Sequence, residues 1–125
     1  MIGITITLGE LVDRITILEI KSKMIKDETK LIDVRKELQQ LRGQYHTHGV
    51  EVPEMLKQKL DSLNLTLWQV ENDLRRKEVN LEFDEKFVEL ARSVYFTNDL
   101  RYDTKLEISK LDTHSTVPLE HKSYA

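Results

Sequence analysis

The chain contains no cysteine, which excludes disulfides, thiolate catalysis and zinc–thiolate sites. Only 2 prolines and 4 glycines interrupt 125 residues, so long helices meet few breakers. No apolar run approaches the length of a membrane span. The N-terminus shows no basic segment followed by an apolar stretch and a cleavage site, so no secretory signal is expected and the setting reads as cytoplasmic. Charge of one sign is also missing. The formal net charge is -3, which excludes a polyanion binder such as an extended nucleic-acid surface and leaves only a local cluster for any phosphate contact.

What is present is 39% hydrophobic and 33% charged residues in periodic order, enough for one modest core. The predicted architecture is all-α: an antiparallel bundle of about four helices with a short N-terminal strand or arm, in a single domain over residues 1–125. Residues 1–7 alternate Ile2, Ile4 and Ile6 with small or polar residues, which is strand period in β-branched residues. Helices occupy 8–111, and 112–125 read as a tail. Thr7-x-x-Glu10 has capping-box spacing and opens a first helix, predicted from Leu8 to Asp27. Its apolar stripe (Leu8, Leu11, Ile15, Leu18, Ile25) is widened by Val12, Ile17, Ile20 and Met24, which implies more than one neighbour. A second helix is predicted from Thr29 to Tyr45, bracketed at its end by Gly43 and Gly49. A third runs from Pro53 to Glu78 with a seam of Leu56, Leu60, Leu63, Leu67, Val70 and Leu74. Asp84 is a plausible N-cap for the fourth.

The fourth helix carries the unusual pattern. Phe87, Leu90 and Val94 begin a buried stripe that continues through Thr97, Arg101 and Thr104 before returning to Ile108 and Leu111. Its middle is polar. Asn98, Arg101, Tyr102 and Lys105 lie at i, i+3, i+4 and i+7 on one face, with Arg92, Tyr95 and Asp99 adjoining. Forked donors and rings in this arrangement suit an anionic, planar or hydroxylated ligand. The structural alternative is a network in which Arg101 is met by an acid from another helix, Asp13 or Glu71 being the first choices. A buried arginine demands one or the other, and a bound anion is the expectation here.

Elsewhere, Asp13 and Arg14 interrupt the stripe of the first helix and Lys21 follows Arg14 by two turns. Trp68, Glu71, Arg75 and Glu78 share one face of the third helix, where Trp68 reads as core before stacking platform and Glu71 is placed to pair with Arg75. His46-x-His48 has no third ligand at a fixed spacing, so no metal site is expected. No nucleophile–base pair, Gly-rich phosphate loop or metallohydrolase motif is present, so neither an enzyme nor a cofactor is expected.

Leu8–Lys21 (LGELVDRITILEIK), Leu67–Arg75 (LWQVENDLR), Phe87–Lys105 (FVELARSVYFTNDLRYDTK) and the terminal EHKSY resemble a domain-of-unknown-function family of short bacterial and viral helical proteins, sometimes attached to glycosyltransferase-like chains. The resemblance spans nearly the whole chain and implies its fold but no established activity. It also implies that Lys122 and Tyr124 belong to the domain's signature, the tail folding back over the polar belt. His121 stands where the family's tail has a second glutamate.

The candidate ligand-binding set is therefore Arg14, Lys21, Arg92, Tyr95, Asn98, Arg101, Tyr102, Lys105, Lys122 and Tyr124. The expected function is non-enzymatic binding or sequestration of a small anionic, nucleotide-like ligand by a homo-oligomer, the oligomer being implied by the wide first helix and by leftover apolar residues such as Leu65 and Phe96. An adaptor or structural module without a ligand is the alternative. A chorismate-mutase-like enzyme using Arg14, Lys21 and Arg101 is a minor one.

Overall fold

The structure, a computed structural model, describes residues 2–113. Four helices follow one another: α1 (Leu8–Met24), α2 (Glu28–His48), α3 (Glu54–Val79) and α4 (Glu85–Ser109). Their ends follow from local chemistry. Thr7 Oγ1 accepts the Glu10 amide at 3.1 Å and opens α1. The helix stops at Met24, short of the predicted Asp27, because Asp27 caps α2 instead, accepting the Thr29 and Lys30 amides. Helix α2 runs through Gly43 and Tyr45 to His48. Only Gly49 ends it, at φ 79°, the left-handed conformation that glycine adopts without strain. Pro53 caps α3, and the Asp84 carboxylate accepts the Phe87 amide at 2.9 Å to start α4.

Residues 2–7 form no strand, and no strand occurs among the described residues. A lone strand has no ladder to join. The segment is an arm from which Ile2 and Ile4 project into solvent, while Ile6 packs against the core.

Helix α1 is central. It packs on α2, α3 and α4, α3 and α4 pack on each other, and the helix packing of α2 is with α1 alone. Two clusters make the core: Leu8, Val12, Val52, Leu60 and Ile108, and Leu11, Ile15, Leu18 and Leu38. Each such side chain contributes about 1.5–3 kcal/mol on burial. Because α1 feeds both clusters, three neighbours within one chain account for the width of its stripe. That width is no longer an argument for a second subunit.

Gly9 lets α1 cross α4 closely. A Cβ there would lie 2.0 Å from the Lys105 carbonyl oxygen, and the Gly9 amide donates to Ser109 Oγ at 3.0 Å. On α3 the buried row is Leu60, Asn64 and Leu67. Asn64 takes the seam position next to the predicted Leu63, which is only half-buried. At 26 and 25 residues, α3 and α4 outrun the 17 of α1. Their far halves pack chiefly on each other, so Leu74, Phe87, Leu90 and Val94 are half-buried and lie outside the main core.

Candidate functional site

The polar belt of α4 meets α1 and α3 at one buried carboxylate. Asp13 is 1% exposed. Arg101 donates to it twice, Nε to Oδ1 at 2.9 Å and Nη2 to Oδ2 at 2.5 Å, the forked geometry that suits a carboxylate. Asn64 Nδ2 donates to Asp13 Oδ1 at 2.9 Å and to Thr16 Oγ1 at 2.8 Å, while the Thr16 hydroxyl donates to the Asp13 carbonyl at 2.7 Å. Asn98 Oδ1 accepts from Arg101 Nη1 at 3.2 Å. Lys105 bonds Glu10 and stands 3.7 Å from Asp13, and Glu10 also accepts from Arg14 Nε at 3.0 Å. Thr104, fully buried, returns its hydroxyl to the Leu100 carbonyl. No buried side-chain nitrogen or oxygen among the described residues lacks a partner.

Burial is the largest influence on Asp13 and pushes its pKa up. The hydrogen bonds from Arg101 and Asn64, with the charges of Arg101 and Lys105, outweigh it and hold the carboxyl below its ordinary value. Glu10 follows the same pattern, with burial raising and Lys105 and Arg14 together lowering it further. The Asp13 bonds push Arg101 up, against burial. The charge compensating Arg101 is therefore Asp13, where a bound anion was expected. The reason is local: Asp13 breaks the apolar stripe of α1 at the level where α4 crosses it.

Arg101 still has capacity. Of five guanidinium N–H donors, Asp13 and Asn98 take three. Arg101 also borders a half-open cleft of about 340 Å³ between α1, α3 and α4, lined further by Lys21, Trp68, Glu71, Asn72 and Arg75 over a floor of Ile17, Ile20 and Leu67. Lys21 and Arg75 make no ion pair among the described residues, and the predicted Glu71–Arg75 pair is not formed. Trp68 is half-buried at the cleft wall, not in the core.

The remaining candidates disperse. Tyr102 and Lys105 line a second cleft of about 290 Å³ with Glu10, Ser109 and the arm residues Thr5 to Thr7. Arg14 pairs with Glu10 and lines neither cleft, so the three cations of a chorismate-mutase-like scheme do not converge. Arg92 borders a shallow hollow with Val88 and Phe96, and Tyr95 projects into solvent. His48 bonds Asp112 at 3.0 Å, linking the ends of α2 and α4. Lys122 and Tyr124 lie outside the described residues.

Sequence reasoning missed Asn64 and Asn72. Asn64 was detectable, because 60–64–67 is a seam spacing with a polar residue inside it. Asn72 carries no periodic signal.

Among the described residues no helix is long and apolar enough to cross a membrane. No curated protein and no solved structure matches the chain. Residues 2–125 match a family described as a family of unknown function (DUF6165), and the chain belongs to it.

Proposed function

We propose that the cleft between α1, α3 and α4 binds a small anionic ligand with a planar, nucleotide-like part, without catalysis. One observation carries this reading. Three cations, Lys21, Arg75 and Arg101, border a single cleft beside an indole, with Glu71 as the only acid in the lining among the described residues. Cations without ion-pair partners attract phosphate or carboxylate, the guanidinium of Arg101 is held rigid by Asp13 with two donors to spare, and Trp68 offers a stacking face. The volume is at the lower end of small-molecule sites, of order 300–1,000 Å³, and suits a mononucleotide or one half of a larger ligand. The bacterial or viral setting and the glycosyltransferase-like attachment implied by the family resemblance make signalling nucleotides and nucleotide sugars the first probes.

The test is thermal shift with AMP, UDP, UDP-glucose and cyclic dinucleotides. A ligand at 100 times its Kd adds about 2.7 kcal/mol of stability. Lys21→Met with Arg75→Met should abolish the shift while leaving the unliganded melting temperature within about 2 °C, since both side chains lack ion pairs among the described residues and surface changes are within about 0.5 kcal/mol. Absence of any shift at millimolar concentrations sinks the reading.

The second reading, an interaction module, is favoured by a different observation. Asp13 already neutralises Arg101 inside the protein, so the belt is complete without a ligand.

A further inference from the structure

The outward face of α4 sets large apolar side chains among its charged ones. Helical spacing of 100° per residue sets Val88, Arg92, Tyr95, Asp99 and Asp103 on one stripe, opposite the buried Thr104 and Ile108. Phe96 and Leu100 flank it. Val88, Tyr95, Phe96 and Leu100 are each more than half exposed, and the Tyr95 and Phe96 rings lie against each other, centroids 4.6 Å apart and planes tilted by 38°. Among the described residues the helices that pack on α4 are α1 and α3, and its buried residues Thr104, Ile108 and Ser109 lie on the opposite side from this face. Surfaces of this kind mark interaction sites.

We infer that a second copy of the chain covers this face, the two α4 helices pairing antiparallel about a two-fold axis at Tyr95–Phe96. The charge pattern selects both the occupant and its direction. With the axis there, Arg92 of each copy comes level with Asp99 of the other and lies within one turn of its Asp103, giving two equivalent ion pairs around the aromatic centre. A parallel pairing would set Arg92 against Arg92, Asp99 against Asp99 and Asp103 against Asp103. Such an isologous contact is self-complementary, as two-fold symmetry requires. The inference does not rest on the ligand-binding reading, since the cleft of Lys21 and Arg75 opens on the other side of α4.

The experiment is sedimentation equilibrium of the full chain from 1 to 200 μM. The expected mass at the upper end is twice 14.7 kDa. Phe96→Glu should give the monomer mass throughout. Arg92→Asp and Asp99→Arg should each weaken association at least tenfold, and the double change Arg92→Asp with Asp99→Arg should restore it, because the swap re-forms the pairs only between two copies of one chain. Circular dichroism on each variant separates loss of association from loss of fold, since all three positions lie outside the core. A monomer at every concentration, or a dimer indifferent to Phe96→Glu, overturns the inference. So does a double variant that stays monomeric while circular dichroism shows it folded.

Discussion

Arg101→Met isolates the buried carboxylate. In the native protein Asp13, 1% exposed, holds both Arg101 bonds, one Asn64 bond and a more distant Lys105 at 3.7 Å. The substitution keeps the volume of the arginine stem but removes two charge-assisted donors. Stranding one member of a buried pair costs about 3–5 kcal/mol. The lower end applies, because Arg101 itself is a quarter exposed and Lys105 remains to share the charge. A loss of about 3 kcal/mol in a domain of this size lowers the melting temperature by roughly 10 °C. Asp13→Leu in the same chain removes the stranded charge, and the double variant should melt at least 5 °C above Arg101→Met, the non-additivity expected of residues in contact. Differential scanning calorimetry without ligand reads both values. An Arg101→Met protein that melts at or above the native temperature would refute the reasoning. It would show that Asp13 is satisfied without the guanidinium and that Arg101 needs its anion from outside.

Three further outcomes are expected. Gly9→Ala should cost at least about 3 kcal/mol, at the upper end for overpacking, because its Cβ would meet the Lys105 backbone at 2.0 Å and only a shift of α1 from α4 relieves it; a urea midpoint unchanged from native would show that the crossing is looser than described. Asp13 and Glu10 are both held below their ordinary pKa values, so their contribution is complete above the ordinary carboxylate range and is lost as pH falls through it toward the lower folded values. Acid titration by circular dichroism should accordingly show native-like stability at pH 7 and a steep loss below about pH 4, and Asp13→Asn should flatten that loss. Leu81, at φ 57°, is the one non-glycine residue with positive φ among the described residues, so Leu81→Gly should raise stability by about 1 kcal/mol, read as a higher denaturant midpoint with unchanged slope.

The helices were legible because the chain states each of them twice, once as a 3–4 spacing and once as a cap. Thr7, Asp84 and Gly49 end or begin helices where their chemistry indicates, and two helix ends were misplaced: α1 was run on to Asp27 because one aspartate can close one helix or open the next, and α2 was stopped at Tyr45 although only Gly49 ends it, after His48. The arm was ambiguous for a physical reason: Ile2, Ile4 and Ile6 have strand period, but a strand exists only with a partner, and alternation says nothing about where one lies. Gly9 gave no signal because close approach depends on the residue across the gap, the Lys105 carbonyl, and not on its own neighbours. The face of Asn98, Arg101, Tyr102 and Lys105 was read correctly as one surface of α4, yet α1 lies across the middle of it. Arg101 is left bordering one cleft, and Lys105 and Tyr102 another.

That division bears on what the belt is for. A buried ion pair adds little net stability over an apolar pair of the same volume, because desolvation offsets most of the attraction. What Asp13–Arg101 supplies is register. Sliding α1 along α4 by one helical turn, about 5.4 Å, would leave the leucines of both cores with new apolar neighbours of similar size but would strand Asp13, Arg101 and Asn64 together. Polar residues in the seam therefore penalise the alternative packings that the repetitive leucine stripes permit. The same register fixes the cleft, since Lys21 on α1, Arg75 on α3 and Arg101 on α4 border one opening only in this alignment. On the proposed reading, structural network and ligand site are consecutive steps of one arrangement: the carboxylate holds the guanidinium, and the guanidinium borders the cleft. If the network is only scaffold, removing both Asp13 and Arg101 alters the melting curve and leaves the ligand titration as it is in the native protein. If it positions a site, the double variant folds yet binds its anion more weakly, and comparing its melting curve with its ligand titration distinguishes the two.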